Sequence, residues 1–151
     1  MLLSILGVLL FSSALQAQRL VIGEKAPEVR ISEWYAARTP AMANRPFLVD
    51  FFLSSNDRCV ANLAKLEALH TTYGGRLNVI AVSREESDKV APFVEGKGYG
   101  FYIGRDEGDK TFTNYGVRFV PFAALVDARG RLVWTGNVAS LTDDIIDKAL
   151  R

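Results

Sequence analysis

One cysteine and one histidine are all that 151 residues supply of the two commonest redox and metal side chains. A single cysteine excludes an internal disulfide, and a single histidine excludes a local Cys/His zinc site. Charge of one sign is also lacking. Eighteen Lys and Arg stand against 17 Asp and Glu, a net +1, which gives no electrostatic case for nucleic acid or an anionic membrane surface. No phosphate-cradling glycine loop and no cluster of ligating side chains are present, so no metal, nucleotide or flavin cofactor is expected. Repeats, low-complexity runs and linkers are missing too, which leaves no argument for a second domain.

What is there suits one globular domain: 49% hydrophobic and 23% charged residues. Residues 1–17 carry no charged side chain, hold an apolar run from Ile5 to Phe11, and end Ala14-Leu15-Gln16-Ala17. That pattern predicts a secretory signal cleaved after Ala17, with residues 18–151 as the mature domain. The run is too short to cross the ~30 Å hydrocarbon core of a bilayer. No cysteine stands at the cleavage point to take a lipid. The expectation is a periplasmic or secreted protein with no stable membrane insertion. A lone free thiol in an oxidising compartment then needs a reason.

The chain is organised around Phe47-Leu48-Val49-Asp50-Phe51-Phe52-Leu53, a nearly continuous apolar run that predicts a strand buried on both faces. A polar turn follows, and Asn56 or Asp57 can cap a helix that carries Cys59 in its first turn. Backbone N–H groups and the positive helix end favour a thiolate at such a place. A dithiol site needs Cys-x-x-Cys; here the turn is Asn56-Asp57-Arg58-Cys59. Apolar residues at 60, 63, 66, 69 and 73 predict an amphipathic helix over 57–73, stopped by Gly74-Gly75. Further strands are expected at 77–82, 101–103, 121–126 and 131–135, the last two as a hairpin, and an edge strand near Val29-Arg30-Ile31. A short helix containing Pro92 starts from Ser83-Arg84-Glu85-Glu86, helical turns lie within 109–115, and a last helix follows the cap Thr142. A parallel half followed by a hairpin predicts an α/β fold, a central mixed sheet with helices on both faces.

Several stretches together resemble the thioredoxin-fold redoxins of the TlpA/ResA type. They are Gly23-Glu24-Lys25-Ala26-Pro27, Leu48-Val49-Asp50-Phe51-Phe52, Tyr115-Gly116-Val117-x-Phe119-Val120-Pro121, Leu125-Val126-Asp127-x-x-Gly130 and Val133-Trp134-x-Gly136. The resemblance spans residues 20–150 and implies a thioredoxin-like fold and thiol-disulfide exchange with extracytoplasmic proteins. By that likeness Cys59 falls on the second, resolving cysteine, Asn56 on the first, attacking one, and Pro121 on a cis-proline. The carboxamide at 56 departs from the pattern. An attack by Cys59 would stop at a mixed disulfide or need an external thiol.

Each candidate also has a plain structural reading. Cys59 is either a reactive monothiol or an inert core thiol. Asn56 is either a site residue or simply a helix cap. Val120 and Pro121 are either an edge for an extended peptide or a routine strand start. Asp50 is a buried proton carrier or a carboxylate bonded to a loop. His70 and the run 84–89 are expected at the solvated surface, and Trp34 and Trp134 in packing. Three functions follow: a monothiol redox-family member that traps a thiol-bearing extracytoplasmic protein, a non-catalytic module that binds an extended peptide, and a single-cysteine thiol peroxidase. For the last, a peroxiredoxin-like site would have Thr-x-x-Cys at this turn, and by that likeness Asn56 stands in place of the threonine and Pro121 displaces the peroxide-binding arginine.

Overall fold

The computed structural model describes residues 19–151. The expected leader, Met1–Ala17, lies outside them. At the centre is β2 (Phe47–Phe51), every residue of which pairs on both sides. It runs parallel to β3 (Asn78–Ser83) and antiparallel to β5 (Phe122–Val126), so that Val49 is opposite Ile80 on one side and Ala124 on the other. With β1 (Ile31–Trp34), β4 (Tyr102–Asp106) and β6 (Leu132–Gly136) the sheet has the order β1-β4-β3-β2-β5-β6. The β2, β3 and β4 pairings are parallel, while β5–β6 and the outer strand β1 are antiparallel. This is the mixed sheet that the sequence predicts.

The helices divide between the two faces. Leu48, Phe52, Val79, Ala81 and Leu125 bury one face against α1 (Asp57–Tyr73), Val90 of α2 (Ser87–Val94) and Ile146 of α4 (Asp143–Leu150). Val49, Phe51, Ile80, Val82 and Ala124 bury the other against Phe112 of α3 (Lys110–Asn114), Tyr115, and the segment holding Leu20, Ala26 and Val29. The Phe51 ring meets Phe112 edge-on at 5.0 Å. A fully buried side chain of this kind stabilises the fold by roughly 1.5–3 kcal/mol. Among the described residues no helix is long and apolar enough to cross a membrane.

Boundaries shift where tertiary partners decide them. β2 leaves the ladder after Phe51, although the Phe52 N–H still donates to the Val82 carbonyl at 3.0 Å. β4 extends from the expected 101–103 to Asp106 because β3 and β1 pair with it from both sides. The second helix begins at Ser87 rather than within 83–86, since Glu85 is drawn to the turn after β2. Trp34 closes β1, and Tyr35–Ala37 then forms a single 3-10 turn with Ala36 left-handed, φ 57°. Thr142 stands at the cap of α4 without a side-chain bond to it.

Gly104 shows how tightly β1 is seated. A Cβ there would lie 2.7 Å from Cγ2 of Ile31 and 3.2 Å from the Trp34 ring. Gly104→Ala is therefore expected to push β1 off β4 and to lower stability by about 1–3 kcal/mol in urea unfolding. An unchanged midpoint would mean that the outer strand yields freely.

Candidate functional site

The end of β2 sets the site. After Leu53 the chain turns through Ser54, Ser55 and Asn56 into α1, and Asn56 has the extended backbone of an N-cap, φ −101° and ψ 111°. Its Oδ1 accepts from the backbone N–H groups of Arg58 at 3.0 Å and Cys59 at 3.1 Å. These are donors that the first helical turn leaves without backbone partners. The same carboxamide reaches across the site, with Nδ2 donating to the Val120 carbonyl at 3.4 Å. Asn56 thus joins the N-terminus of α1 to the loop before β5.

That loop is aimed by the end of α3. Gly116 sits at φ 60°, where its N–H donates to the Thr113 carbonyl and the Val117 N–H donates back to Phe112, closing the helix in a Schellman turn. The chain then runs to Val120 and Pro121, joined by a cis peptide bond. Pairing of β5 with β2 begins only at the Phe122–Phe51 pair, so the backbone of Val120 and Pro121 is not committed to the sheet. Beside them Phe119 is 84% exposed, an unusual position for so large an apolar ring. A cleft of about 230 Å3 opens next to this loop between Arg84 and Arg118, with the Arg84 guanidinium stacked 5.1 Å over Phe112.

Cys59 is the opposite of exposed, at 0% accessible surface. Burial pushes its thiol up from the usual value. The Asp50 and Glu85 carboxylates push in the same direction, against a backbone hydrogen bond at Leu53. The helix N-terminus does not rescue the thiolate, because the Cys59 N–H is already taken by Asn56 Oδ1. Asp50, on the same sheet face as Leu48 and Phe52, is also at 0%, and neither of its oxygens has a hydrogen-bond partner among the described residues. The expected loop bond to Asp50 is not made. Desolvation alone raises its carboxyl well above the ordinary value.

The structure therefore brings Asn56, Cys59, Val120 and Pro121 to one place, with Asp50 beneath. Glu85 belongs there as well, although its sequence run looks solvated. Its carboxylate accepts from the Ser54 N–H and Oγ, both at 2.8 Å, and from Ser83 Oγ at 2.9 Å, bracing the turn against the end of β3. The serines spaced around both strand ends are the only hint of this. His70 is not at the solvated surface. It is half-buried, with its ring against Gly100 and Gly74 and its Nδ1 shut away from any partner. No cluster of three or more His, Cys, Asp or Glu that could hold a metal occurs among the described residues.

A parallel strand feeding a capped helix, faced by a cis-proline loop and the β5–β6 hairpin, defines a thioredoxin-like domain. The AhpC/TSA family model matches residues 22–135, and the chain belongs to that family. Among solved structures it is similar to a putative thiol:disulfide interchange protein DsbE from Chlorobium tepidum. That likeness has 19% identity, covers 88% of this chain and 100% of that one, and has a TM-score of 0.74. It is similar also to a putative protein disulfide isomerase from Bacteroides thetaiotaomicron (19% identity, 87% and 91% covered, TM-score 0.70). A third likeness is to a secreted Mycobacterium tuberculosis disulfide oxidoreductase (16% identity, 72% and 82% covered, TM-score 0.59). No curated protein matches. At these identities the structural likenesses establish the fold.

Two outcomes follow from the burial. Iodoacetamide at pH 8 is expected to label Cys59 in the folded protein at least about a hundredfold more slowly than in urea, an opening cost of roughly 2.7 kcal/mol or more. Equal rates would mean that the thiol is accessible. Asp50 sets a pH dependence. Its folded pKa lies above the unfolded value of about 3.9, so the folded state holds the proton longer and its stabilising effect is lost as pH rises between the two values. Wild-type stability relative to Asp50→Asn is therefore expected to fall from pH 4 upward, by at most about 1.4 kcal/mol per pH unit. Parallel urea-stability profiles for the two proteins would contradict this.

Proposed function

We propose that this chain is an extracytoplasmic redoxin whose dithiol centre is degenerate, and that it binds an extended segment of another protein at Val120 and Pro121 rather than cycling a disulfide. The observation that carries the proposal is the double engagement of the Asn56 carboxamide. It fills the helix donors that would stabilise an attacking thiolate, while the one remaining sulfur lies buried with its pKa raised. The backbone before β5, outside the sheet ladder and held only by the long Asn56 Nδ2 bond to the Val120 carbonyl, supports a binding role together with the exposed Phe119, because both suit an extended chain laid beside the turn. The apolar leader and the secreted M. tuberculosis relative support an extracytoplasmic place. Trapping of a partner through Cys59, and a thiol peroxidase, fit the geometry less well. Each needs a thiolate that substrate can reach, and the Asp50 and Glu85 carboxylates disfavour one at Cys59.

Asn56→Cys separates loss of the attacking sulfur from loss of the scaffold. Wild type is expected to give no multiple-turnover insulin reduction with a thioredoxin-type electron donor, whereas the variant forms a 56–59 disulfide and turns over repeatedly. Repeated turnover by wild type would overturn the degenerate-site reading. A folded variant that forms the disulfide but leaves insulin oxidised would overturn polypeptide docking at this edge.

A further inference from the structure

A cavity lined by Tyr35, Arg38, Tyr99, Phe101 and Tyr102 lies at the other end of the sheet from the Asn56 turn. β1 is only four residues long and leaves β4 at the Trp34–Gly104 pair, so Tyr102, where β4 begins, has no strand beyond it. The chain instead swings away through the 3-10 turn, with Ala36 held left-handed at φ 57° and ψ 26°. An alanine there costs on the order of 1–2 kcal/mol. The last turn of α2 and the glycine loop 96–100 close the opposite wall. Gly96 and Gly98 both have positive φ, at 72° and 65°. The enclosed space is about 410 Å3, within the ordinary range for small-molecule sites of about 300–1,000 Å3.

Its lining has a definite chemistry. Four aromatic rings face it, from Tyr35, Tyr99, Phe101 and Tyr102. Tyr99 and Phe101 lie at 4.8 Å and 32° to each other, a tilted pair that makes one aromatic wall. Arg38 stands at the mouth with its guanidinium 4.9 Å over the Tyr102 ring. Among the described residues no carboxylate is within ion-pair distance of Arg38, while Arg30, Arg105 and Lys110 all have partners. Glu95, on the opposite rim, is exposed to water. The site thus offers apolar aromatic walls and one fixed, planar, unneutralised cation.

We infer that this cavity binds a planar aromatic monocarboxylate, its ring between the aromatic walls and its carboxylate on Arg38. A planar body suits stacking on rigid rings, and the guanidinium fork suits a carboxylate's two oxygens. Glu95 disfavours a second negative charge at the far end of the ligand. The site uses neither Cys59 nor the Val120–Pro121 edge and is independent of the function proposed above.

Titration of the labelled protein with 2-naphthoate, followed by amide NMR, tests the assignment. Saturable shifts are expected at Ala91, Tyr99 and Phe101. Neutral 2-naphthamide and flexible decanoate should each bind at least about tenfold more weakly. Arg38→Gln should weaken naphthoate to the naphthamide level without affecting naphthamide, and Arg38→Lys should restore part of the loss. Ala91→Trp, checked for folding by its own spectrum, should abolish binding by filling the space. Absence of saturable shifts, shifts centred on Phe119–Pro121, equal affinity for the acid and its amide, equal affinity for naphthoate and decanoate, or an unaffected Arg38→Gln would each overturn it.

Discussion

A single carboxamide joins the two halves of the candidate site. Asn56 Oδ1 occupies the first N–H groups of α1, and its Nδ2 holds the carbonyl before Pro121. In water these would be ordinary exchanges of partner, each a net stabilisation of about 1 kcal/mol. Their importance here is positional. The donors that a thiolate at the helix start would use are satisfied by a neutral group that neither leaves nor reacts. The thiol of Cys59 lies one helical turn deeper, where water does not reach.

That depth follows from β2. Because the strand pairs on both sides and is covered on both faces, the residues along it are dry whatever their polarity. Asp50 is dry for that reason, with no partner to offset the loss of hydration. That loss of hydration raises the carboxyl's pKa well above its ordinary value. Cys59 comes down from α1 onto the same face and shares the same surroundings. The protein therefore combines a shielded interior acid and thiol with an open rim, where Phe119, Val120 and Pro121 meet solvent.

Much of this was legible in the chain itself. The continuous apolar run of β2, the helix over Asp57–Tyr73 and the closing hairpin follow from local pattern, and the family motifs bring in the proline loop. Pattern falls short where the deciding partner is distant. Asn62 is buried in α1 because its side chain donates to Asn137, 75 residues on. His70 is drawn in because Gly74 and Gly100 leave room for its ring. Glu85 resembles a solvated helix start until Ser54 is seen beside it. None of these relations has a period or a spacing. Depth is likewise invisible in sequence, so the two readings of Cys59 stayed balanced until its surroundings were known.

The three bonds that Glu85 accepts from Ser54 and Ser83 have a consequence for recognition. A loop that must be frozen when a partner arrives weakens the complex by the disorder it gives up. Here the turn is clamped to the neighbouring strand as part of the fold, by the Glu85 carboxylate. In the binding role proposed above, a visiting chain would meet a surface already in its bound shape, a rigid template for contact that needs no reactive sulfur.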